Sequence, residues 1–379
     1  MKKVVLLIET SREFGRQLLK GIAHYSSLYG PWSFYKEQVG LQSSVPHLTN
    51  WKPDGIIMRN SMIKKELLQL KIPTILVLHD SATPKKFPVI KTDSQMIAKL
   101  AYEHLLTKGY KNFAFCGFDN YEWSNERKHY FSKFINDAGL KSFNYNSNKK
   151  KSTDDWKSEQ SRVSNWLKSL PKPIGIMACN DDRGQHILEI CKLYGYKVPD
   201  DIAVIGVDND PMICDIGDPP LSSIALNVEF AGYETARLLD KLMNHENIQT
   251  QQITVSPTHV VQRQSTDILV IQDPDLLAAI KFIRENAEKK INVNQIVNAT
   301  NVGRRVLERK FNKIIHKSIC DHLKHVRTEL ISKMLIESDL QISEIISRFS
   351  FTDAEHISRY FKKEKGIGLI QFRKHHRSH

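Results

Sequence analysis

The sequence predicts an α/β domain of two lobes followed by an all-α domain that contains two helix-turn-helix units. Up to about residue 227, short apolar runs alternate with amphipathic helical patterns, which is typical of parallel sheets whose strands are buried on both faces. Between residues 293 and 363 the chain instead carries one helix-turn-helix pattern twice. With 379 residues, the chain is long enough for two or more domains.

In chain order, the α/β part alternates between the two patterns. Apolar runs predict strands at residues 4–9, 33–38, 55–58, 74–79, 113–118, 174–179 and 203–207. Helical periodicity predicts helices at residues 14–28, 61–70, 94–108, 123–138, 155–170, 183–194 and 229–244. Residues 253–264 are expected to form the strands that close this domain. A turn at residues 108–111 divides the strands into two groups of similar length, which suggests two sheets side by side.

Charge is distributed unevenly along the chain. Residues 275–379 hold 21 Lys and Arg against 12 Asp and Glu, whereas the preceding 274 residues hold 34 against 30. The net charge of the smaller part is therefore +9 and that of the larger part is +4. A compact basic module suggests a polyanion as partner, although basic segments also serve to keep proteins soluble.

Several functional classes find no support in the sequence. The apolar run at residues 4–8 is too short for a secretory signal, and no run of about 18 apolar residues predicts a membrane span. The five cysteines lie far apart without a Cys-x-x-Cys pair, so we expect reduced thiols in a cytoplasmic protein and no metal site. Neither a dinucleotide or phosphate-binding loop nor a hydrolase motif occurs, which predicts a protein that is not an enzyme and needs no cofactor.

Polar residues follow the predicted strands directly. They are Glu9 to Arg12, His79 and Asp80, Asn180 to Asp182, and Asp208 to Asp210. In open α/β sheets, ligands bind in the crevice beyond the carboxyl ends of the strands. We therefore expect a polar ligand between the two lobes.

The residue types at these positions suit a sugar. Carboxylates, amides and a planar guanidinium satisfy hydroxyl groups that both donate and accept, and Trp123 and Phe14 offer faces for the apolar side of a ring. Simpler interpretations exist, because Asn180 and Asp181 also fit helix N-caps and Trp123 also fits packing. Asp208 is different, because it precedes a proline-containing loop with no evident helix to cap.

Residues 1–265 resemble the sugar-binding region of LacI-type regulators and the related periplasmic binding proteins. The motifs that carry the resemblance are Pro-Ile-Gly-Ile-Met-Ala-Cys-Asn-Asp at 173–181, Val-Pro-Asp-Asp-Ile-Ala-Val-Ile-Gly-Val-Asp-Asn at 198–209, and Pro-Pro-Leu-Ser-Ser-Ile at 219–224. The resemblance implies that Asn180, Asp208 and Arg127 bind the sugar; Asp181, Trp123, Phe14 and Asp80 complete the predicted site. LacI-type proteins begin with a DNA-binding helix-turn-helix, whereas this chain begins with the first strand, so we expect its DNA-binding unit elsewhere.

The C-terminal part is expected to follow a linker at residues 266–275, in which Asp273 and Pro274 begin a helix from 276 to about 287. In the repeated pattern, the apolar positions coincide as Ile296 with Ile345, Leu307 with Ile357, and Phe311 with Phe361. A helix at residues 319–336 joins the two copies and would span roughly 27 Å, close to the ~34 Å between successive major grooves on one face of DNA.

Residues 276–379 resemble the DNA-binding domain of the AraC family, on the residues Leu307, Arg309 to Phe311, 342–346 and 357–363, with Gly366 and Phe372. The expected DNA-facing residues are Arg304, Arg305, Glu308 and Arg309 in the first unit and Asp353, Glu355, His356, Arg359 and Lys362 in the second. Arginine recognises guanine through two hydrogen bonds, and glutamate accepts from cytosine. Arg309 and Arg359 also fit internal pairs with acids such as Glu344, and Lys362 fits a phosphate contact or a solvated charge. Ser350 occupies a turn that favours glycine.

A LacI-like sugar domain before an AraC-like DNA-binding domain is the order of parts in the xylose operon regulators of bacteria. That resemblance implies a cytoplasmic transcription activator that binds D-xylose or a related sugar, double-stranded DNA with repeated half-sites, and RNA polymerase, and that forms a homodimer. Alternatives are the same architecture with another pentose, a hexose or a sugar acid as effector, and a sugar-binding transport protein.

Overall fold

The computed structural model describes residues 1–36, 51–60, 71–78, 87–146, 156–246, 248, 252–267, 273–315, 317–349 and 354–376. The predicted helix at residues 61–70 and the turn at Ser350 lie outside the described residues. Within the described ranges, the chain forms an α/β part with two six-stranded sheets and a C-terminal helical part, as predicted.

The elements of the α/β part follow one another closely along the chain. The strands are β1 (Lys2–Leu7), β2 (Trp32–Lys36), β3 (Gly55–Arg59), β4 (Thr74–Val77), β5 (Val89–Thr92), β6 (Phe113–Cys116), β7 (Ser142–Asn144), β8 (Ile174–Ala178), β9 (Ile202–Val207), β10 (Ser222–Leu226), β11 (Gln252–Val255) and β12 (Pro257–Val261). The helices are α1 (Glu13–Tyr29), α2 (Ser94–Thr107), α3 (Glu122–Asp137), α4 (Trp156–Ser169), α5 (Asp181–Leu193), α6 (Pro211–Cys214) and α7 (Val228–Met243).

The first lobe is built on a sheet with strand order β11-β5-β4-β3-β1-β2, in which all paired neighbours are parallel. Successive residues of β1 are buried on opposite faces: Val4 packs with α1 and α7, and Val5 packs with the apolar cluster on the other side. Helices α1 and α7 lie in close contact because Gly21 and Gly232 have no Cβ; one added at Gly21 would meet a carbonyl oxygen of α7 at 1.8 Å.

The second lobe is built on a sheet with strand order β12-β10-β9-β8-β6-β7, in which only the β10–β12 pair is antiparallel. Apolar clusters cover both of its faces, with α4 and α5 on one side and α2 and α3 on the other. Burial on both faces explains why these strands are continuous apolar runs in the sequence.

The division between the lobes differs from the one predicted at residues 108–111. The chain crosses three times, between β5 and α2, between β10 and α7, and between β11 and β12. Backbone hydrogen bonds join the crossings, from Asp93 N to Val255 O and from Asn227 N to Ser256 O, both at 2.9 Å. Helix α7 and strand β11 therefore return to the first lobe, and the three adjacent crossings form the hinge. Strands β5, β7 and β10 were missed by sequence, because polar residues interrupt the apolar run of each: Lys91 and Thr92 in β5, Ser142 and Asn144 in β7, and Ser222 and Ser223 in β10.

The C-terminal part contains α8 (Pro274–Asn286), α9 (Val293–Asn298), α10 (Arg304–Ile314), α11 (Ile319–Glu337), α12 (Ile342–Arg348), α13 (Ala354–Lys365) and α14 (Leu369–His376). It has two apolar cores, one per helix-turn-helix unit, and α11 contributes Ile319 and Leu323 to the first and Ile331 and Leu335 to the second. The matched residues of the repeat are all fully buried: Ile296, Ile345, Leu307, Ile357, Phe311 and Phe361. The predicted pair of units on a shared helix is confirmed.

The 3-10 turn Gln264–Thr266 ends the part of the chain that packs on the second sheet, and α8 begins at Pro274 behind an N-cap by the Asp273 side chain. The domain limits at 265 and 275 remain predictions.

Among the described helices, none combines the length and apolarity that crossing a membrane requires.

Candidate functional site

A cavity of about 680 Å³ lies between the lobes, at the carboxyl ends of the strands. Its lining comes from both lobes and from the hinge, where Thr92 ends β5. Five of the predicted ligand residues line it: Phe14, Trp123, Arg127, Asn180 and Asp208. Asp80 lies outside the described residues.

Arg127 is the central cation of this cleft. Its side chain is 3% exposed, and its guanidinium lies 5.0 Å from the ring centroid of Trp123. It donates to the carbonyl oxygen of Cys179 and, over 3.2 Å, to the hydroxyl of Thr92 at the hinge. Burial lowers its pKa, which the charge of Asp208 partly opposes. The Nε of Arg127 is buried and has no hydrogen-bond partner among the described residues.

Asp208 follows β9 with a backbone φ of +103°, a conformation that side chains other than glycine rarely adopt. Such strain occurs where surrounding structure fixes a residue for function. Burial raises the pKa of Asp208 to about 6, against the nearby positive charge of Arg127. The carboxyl oxygens lie on the cavity wall, where they can accept hydrogen bonds from hydroxyl groups.

Asn180 and Asp181 have different environments, although they are adjacent in sequence. Asn180 lines the cavity and also caps α5, because its side chain accepts from the backbone N–H of Arg183 at 3.1 Å. Asp181 lies behind the cavity at 2% exposure, where it accepts from the hydroxyl of Ser223 at 2.5 Å and the N–H of Asp210 at 2.8 Å. Its observed contacts hold the loop that carries Asp208, and the N-cap geometry is made by Asn180.

Trp123 lies parallel to Tyr121, with ring centroids 5.6 Å apart, as well as beside Arg127. It therefore packs within the second lobe and borders the cavity at the same time. Phe14 lies at the start of α1 and borders the cavity from the first lobe. Aromatic surface is present on both sides of the cleft.

Charged contacts across the cleft join α1 of the first lobe to two aspartates of the second. Arg12 pairs with Asp182 at 2.7 Å, and both side chains are substantially exposed. Asp210, which is 2% exposed, accepts from the backbone N–H of Glu13 and from the guanidinium of Arg16, each at 2.8 Å. Because Arg12 provides no side-chain cap for α1, Asp210 serves as that cap from the opposite lobe.

Sequence reasoning missed several charged residues of the cavity wall, namely Arg59, Lys91, Glu126, Glu159 and Arg162, and it named Asp182 only as one of the polar residues after a strand. Arg59 ends β3, so the same strand-end rule would have found it. Glu159 and Arg162 lie on α4, where an exposed helical face carries no distinguishing signal. Glu159 is held by Arg183 at 2.7 Å and by Arg162 at 2.6 Å, and these bonds lower its pKa despite burial.

A second candidate surface lies on α10. Arg304, Arg305, Glu308 and Arg309 line one shallow groove together with Asn312 and Lys313, which the sequence analysis did not select. The three arginines are exposed. Lys310 points elsewhere and pairs with Asp273 at 2.8 Å and Asp275 at 2.7 Å. The arginines of α10 are therefore exposed to solvent, whereas Lys310 holds the helix to the start of α8.

The second unit presents Arg359 and Lys362 on the exposed face of α13. Asp353 lies outside the described residues, and Glu355 and His356 belong to α13 but their side chains are not described. Lys365 of the same helix pairs with Glu329 of α11 at 2.8 Å, which attaches the second unit to the shared helix. The basic face of α10 and α13 suits a polyanion such as DNA.

Comparison with known proteins matches both parts of the chain. Residues 102–266 match the periplasmic binding protein-like domain, and residues 296–375 match a helix-turn-helix domain. The xylose operon regulatory protein of Haemophilus influenzae (strain Rd) is 30% identical over 98% of this chain and 98% of its own length. The protein of the same name from Escherichia coli (strain K12) is 28% identical over 95% of this chain and 94% of its own.

Among solved structures, that of the xylose-binding transcription activator XylR covers 99% of this chain and 98% of its own, with a TM-score of 0.61 and 26% sequence identity. The match extends through the α/β part, the joining segment and the helical part in the same order. The combination of parts, and not merely each part, is therefore shared.

Proposed function

We propose that this chain, which belongs to the family of xylose operon regulatory proteins, binds D-xylose between its lobes and activates transcription through its C-terminal domain. The family relationship makes the chain a sugar-responsive transcription regulator of xylose utilisation. The finer elements, namely D-xylose itself, activation through RNA polymerase, a homodimer and a cytoplasmic location, are our proposals. The observation that carries them is the full-length similarity to relatives whose names state xylose regulation.

The cleft supports a sugar as effector. A polyhydroxylated ring needs acceptors, donors and apolar surface together, and Asp208, Arg127, Asn180 and Trp123 supply these at one end of the cavity. The exposed arginines of α10 support the DNA part, because phosphate contacts by Lys and Arg provide most of the affinity for duplex DNA.

Titration calorimetry with D-xylose, D-ribose, L-arabinose and D-glucose tests the effector. We expect heat with D-xylose and much weaker binding of the others, since a missing or misdirected hydroxyl leaves a buried polar group unpaired. Fluorescence anisotropy with a DNA duplex carrying repeated half-sites, with and without sugar, tests the response. Binding of a hexose in preference to every pentose would refute the assignment of D-xylose, and DNA affinity that no sugar changes would refute the regulatory mechanism.

A further inference from the structure

The first crossing between the lobes lies against the wall of the cleft. It runs from Thr92, the last residue of β5, through Asp93 to Ser94, the first residue of α2. The hydroxyl of Thr92 accepts from the guanidinium of Arg127 at 3.2 Å. The hydroxyl of Ser94 donates to the carboxylate of Glu126 at 2.9 Å. Two neighbouring side chains of α3, both of which line the cavity, therefore hold this crossing on either side of Asp93.

The backbone fixes the position of Thr92 as well. Thr92 is paired in parallel register with Val255, the last residue of β11. The following residue, Asp93, donates its N–H to the carbonyl oxygen of Val255 at 2.9 Å. Thr92 belongs to the sheet of the first lobe, whereas Arg127 lies on α3 of the second lobe. The hydrogen bond between them therefore joins the lobes at the hinge, where a rotation of the lobes displaces atoms least.

The hydroxyl of Thr92 can make a further hydrogen bond. A threonine hydroxyl donates one hydrogen bond and accepts two, whereas a guanidinium only donates. The hydroxyl proton of Thr92 therefore cannot be directed at Arg127, and within the described residues it is donated to no other group. Because Thr92 lines the cavity, a ligand bound there can accept this proton.

Arg127 both orients this donor and strengthens it. The guanidinium occupies one acceptor position of the Thr92 oxygen and polarises the O–H group, since hydrogen bonds in a chain strengthen one another. Arg127 is itself held by the carbonyl oxygen of Cys179 and by the ring of Trp123. A sugar suits this arrangement, because one of its hydroxyl groups can accept from Thr92 while another donates to Asp208 on the same cavity wall.

We propose that Thr92 is a sugar-binding residue and that its hydroxyl donates to one particular hydroxyl group of the sugar. This assignment rests on the proposed function, in which a sugar occupies the cleft. The sugar is then bonded to the first lobe at the hinge as well as to the second lobe. A sugar in which that hydroxyl group is missing or differently oriented loses the contact, so Thr92 takes part in selecting the effector.

Calorimetry of variants at this position tests the assignment. Thr92→Val removes the hydroxyl and keeps the β-branched shape in β5, whereas Thr92→Ser keeps the hydroxyl. We expect Thr92→Val to bind D-xylose about three- to tenfold more weakly than the wild type, because a hydrogen bond is lost, and Thr92→Ser to restore most of the affinity. Thr254→Val is a matched control, since it makes the same change at an exposed position of β11, the strand next to β5. It should bind D-xylose as the wild type does.

Analogues of D-xylose in which one ring hydroxyl at a time is replaced by hydrogen separate a sugar contact from mere support of Arg127. The analogue that lacks the partner of Thr92 should bind to the wild type and to Thr92→Val with similar affinity. Every other analogue should bind about three- to tenfold more weakly to Thr92→Val than to the wild type. An equal loss for D-xylose and all analogues would show that Thr92 only positions Arg127, and no loss would remove Thr92 from the site; either result overturns the assignment.

The wild type alone decides the proposed function. If it binds a sugar other than D-xylose, the assignment of D-xylose fails, and the same comparison with the analogues of that sugar still decides the role of Thr92. If it binds no sugar, the proposed function fails and the assignment of Thr92 fails with it. Normal binding of D-xylose by the wild type, with no change in Thr92→Val, refutes only the role of Thr92.

Discussion

His322 allows a quantitative test of how the first helix-turn-helix unit is held together. It lies in the first turn of α11 at 1% exposure, and its ring meets Phe311 edge-on with centroids 5.7 Å apart. Neither ring nitrogen has a hydrogen-bond partner among the described residues. Burial lowers the pKa of His322 to about 3, so the imidazole is neutral in the folded protein. The neutral imidazole therefore packs against the Phe311 ring as an aromatic pair, and protonation of His322 destabilises this contact.

The size of the effect follows from proton linkage. The unfolded chain takes up a proton near the ordinary pKa of 6.5, whereas the folded chain takes it up only near 3. The contribution of His322 to stability is therefore complete above pH 6.5 and is lost progressively as the pH falls towards 3. Between about pH 7.5 and pH 5.5 the loss amounts to about 1.4 kcal/mol, and it hardly changes for any folded pKa below about 5.

His322→Phe keeps an aromatic ring against Phe311 and removes the titration. Hydrogen exchange of peptides from residues 304–337, corrected for intrinsic rates, gives opening free energies at both pH values. The wild type should lose about 1.4 kcal/mol more than the variant on acidification. His129→Phe, at an exposed position on α3, should behave as the wild type. Equal pH dependence in the wild type and His322→Phe would show that the imidazole is not held neutral, and the reasoning would fail.

Three further outcomes are expected. Asp208→Asn should weaken D-xylose binding about 10- to 150-fold in calorimetry, because a hydrogen bond to a charged group contributes about 1.5–3 kcal/mol; an unchanged dissociation constant would remove Asp208 from the site. Asp210→Asn should weaken sugar binding several-fold by loosening the cap on α1, whereas Asp218→Asn, which removes only an exposed pair with Lys192, should leave it unchanged; equal effects would contradict the cap. Alanine at Arg304 and Arg305 together should reduce the salt slope of DNA binding by about 1.8 if both contact phosphates, and an unaltered slope would place DNA elsewhere.

The sequence predicted those parts of the fold in which local pattern and final environment agree. Strands of the second lobe are buried on both faces, so they form continuous apolar runs that can be recognised in the sequence alone. The repeat could be recognised in the sequence because Leu307 and Ile357, and likewise Phe311 and Phe361, fill equivalent core positions in the two units. Polar residues at strand ends pointed to the cleft for the same reason, since parallel strands bring their carboxyl ends to one edge.

What the sequence could not predict depends on contacts between distant parts of the chain. The return of α7 and β11 to the first lobe is decided by packing of α7 on α1, in which Gly21 and Gly232 allow the close approach of the two helices. The role of Asp210 also depends on distant contacts, because its partners Glu13 and Arg16 are almost 200 residues away in the chain. Asp181 was expected at the ligand for its place after a strand, and only the loop geometry reveals that it braces Asp208 from behind.

Cleft residues of the two lobes are expected to contribute differently to sugar affinity and to the change in DNA affinity that the sugar causes. A ligand shifts an equilibrium only through contacts that differ between the two states, and reversing a 1:99 population needs about 5.5 kcal/mol of such difference. Asp208, Arg127 and Asn180 all belong to the second lobe, so their contacts with a sugar do not depend on the position of the first lobe. The first lobe contributes Arg59, which pairs with Glu9 at 2.6 Å on the cavity wall.

We propose that the sugar closes the two lobes and that contacts from the first lobe are completed only then; two or three charge-assisted hydrogen bonds there would supply the difference. Arg59→Met should therefore reduce the sugar-dependent ratio of DNA affinities more than it reduces occupancy at saturating sugar. Asp208→Asn should do the opposite, by raising the sugar concentration required while leaving the ratio at saturation intact. Anisotropy titrations of both variants at several sugar concentrations distinguish the two roles, and identical behaviour would mean that closure is not the regulated step.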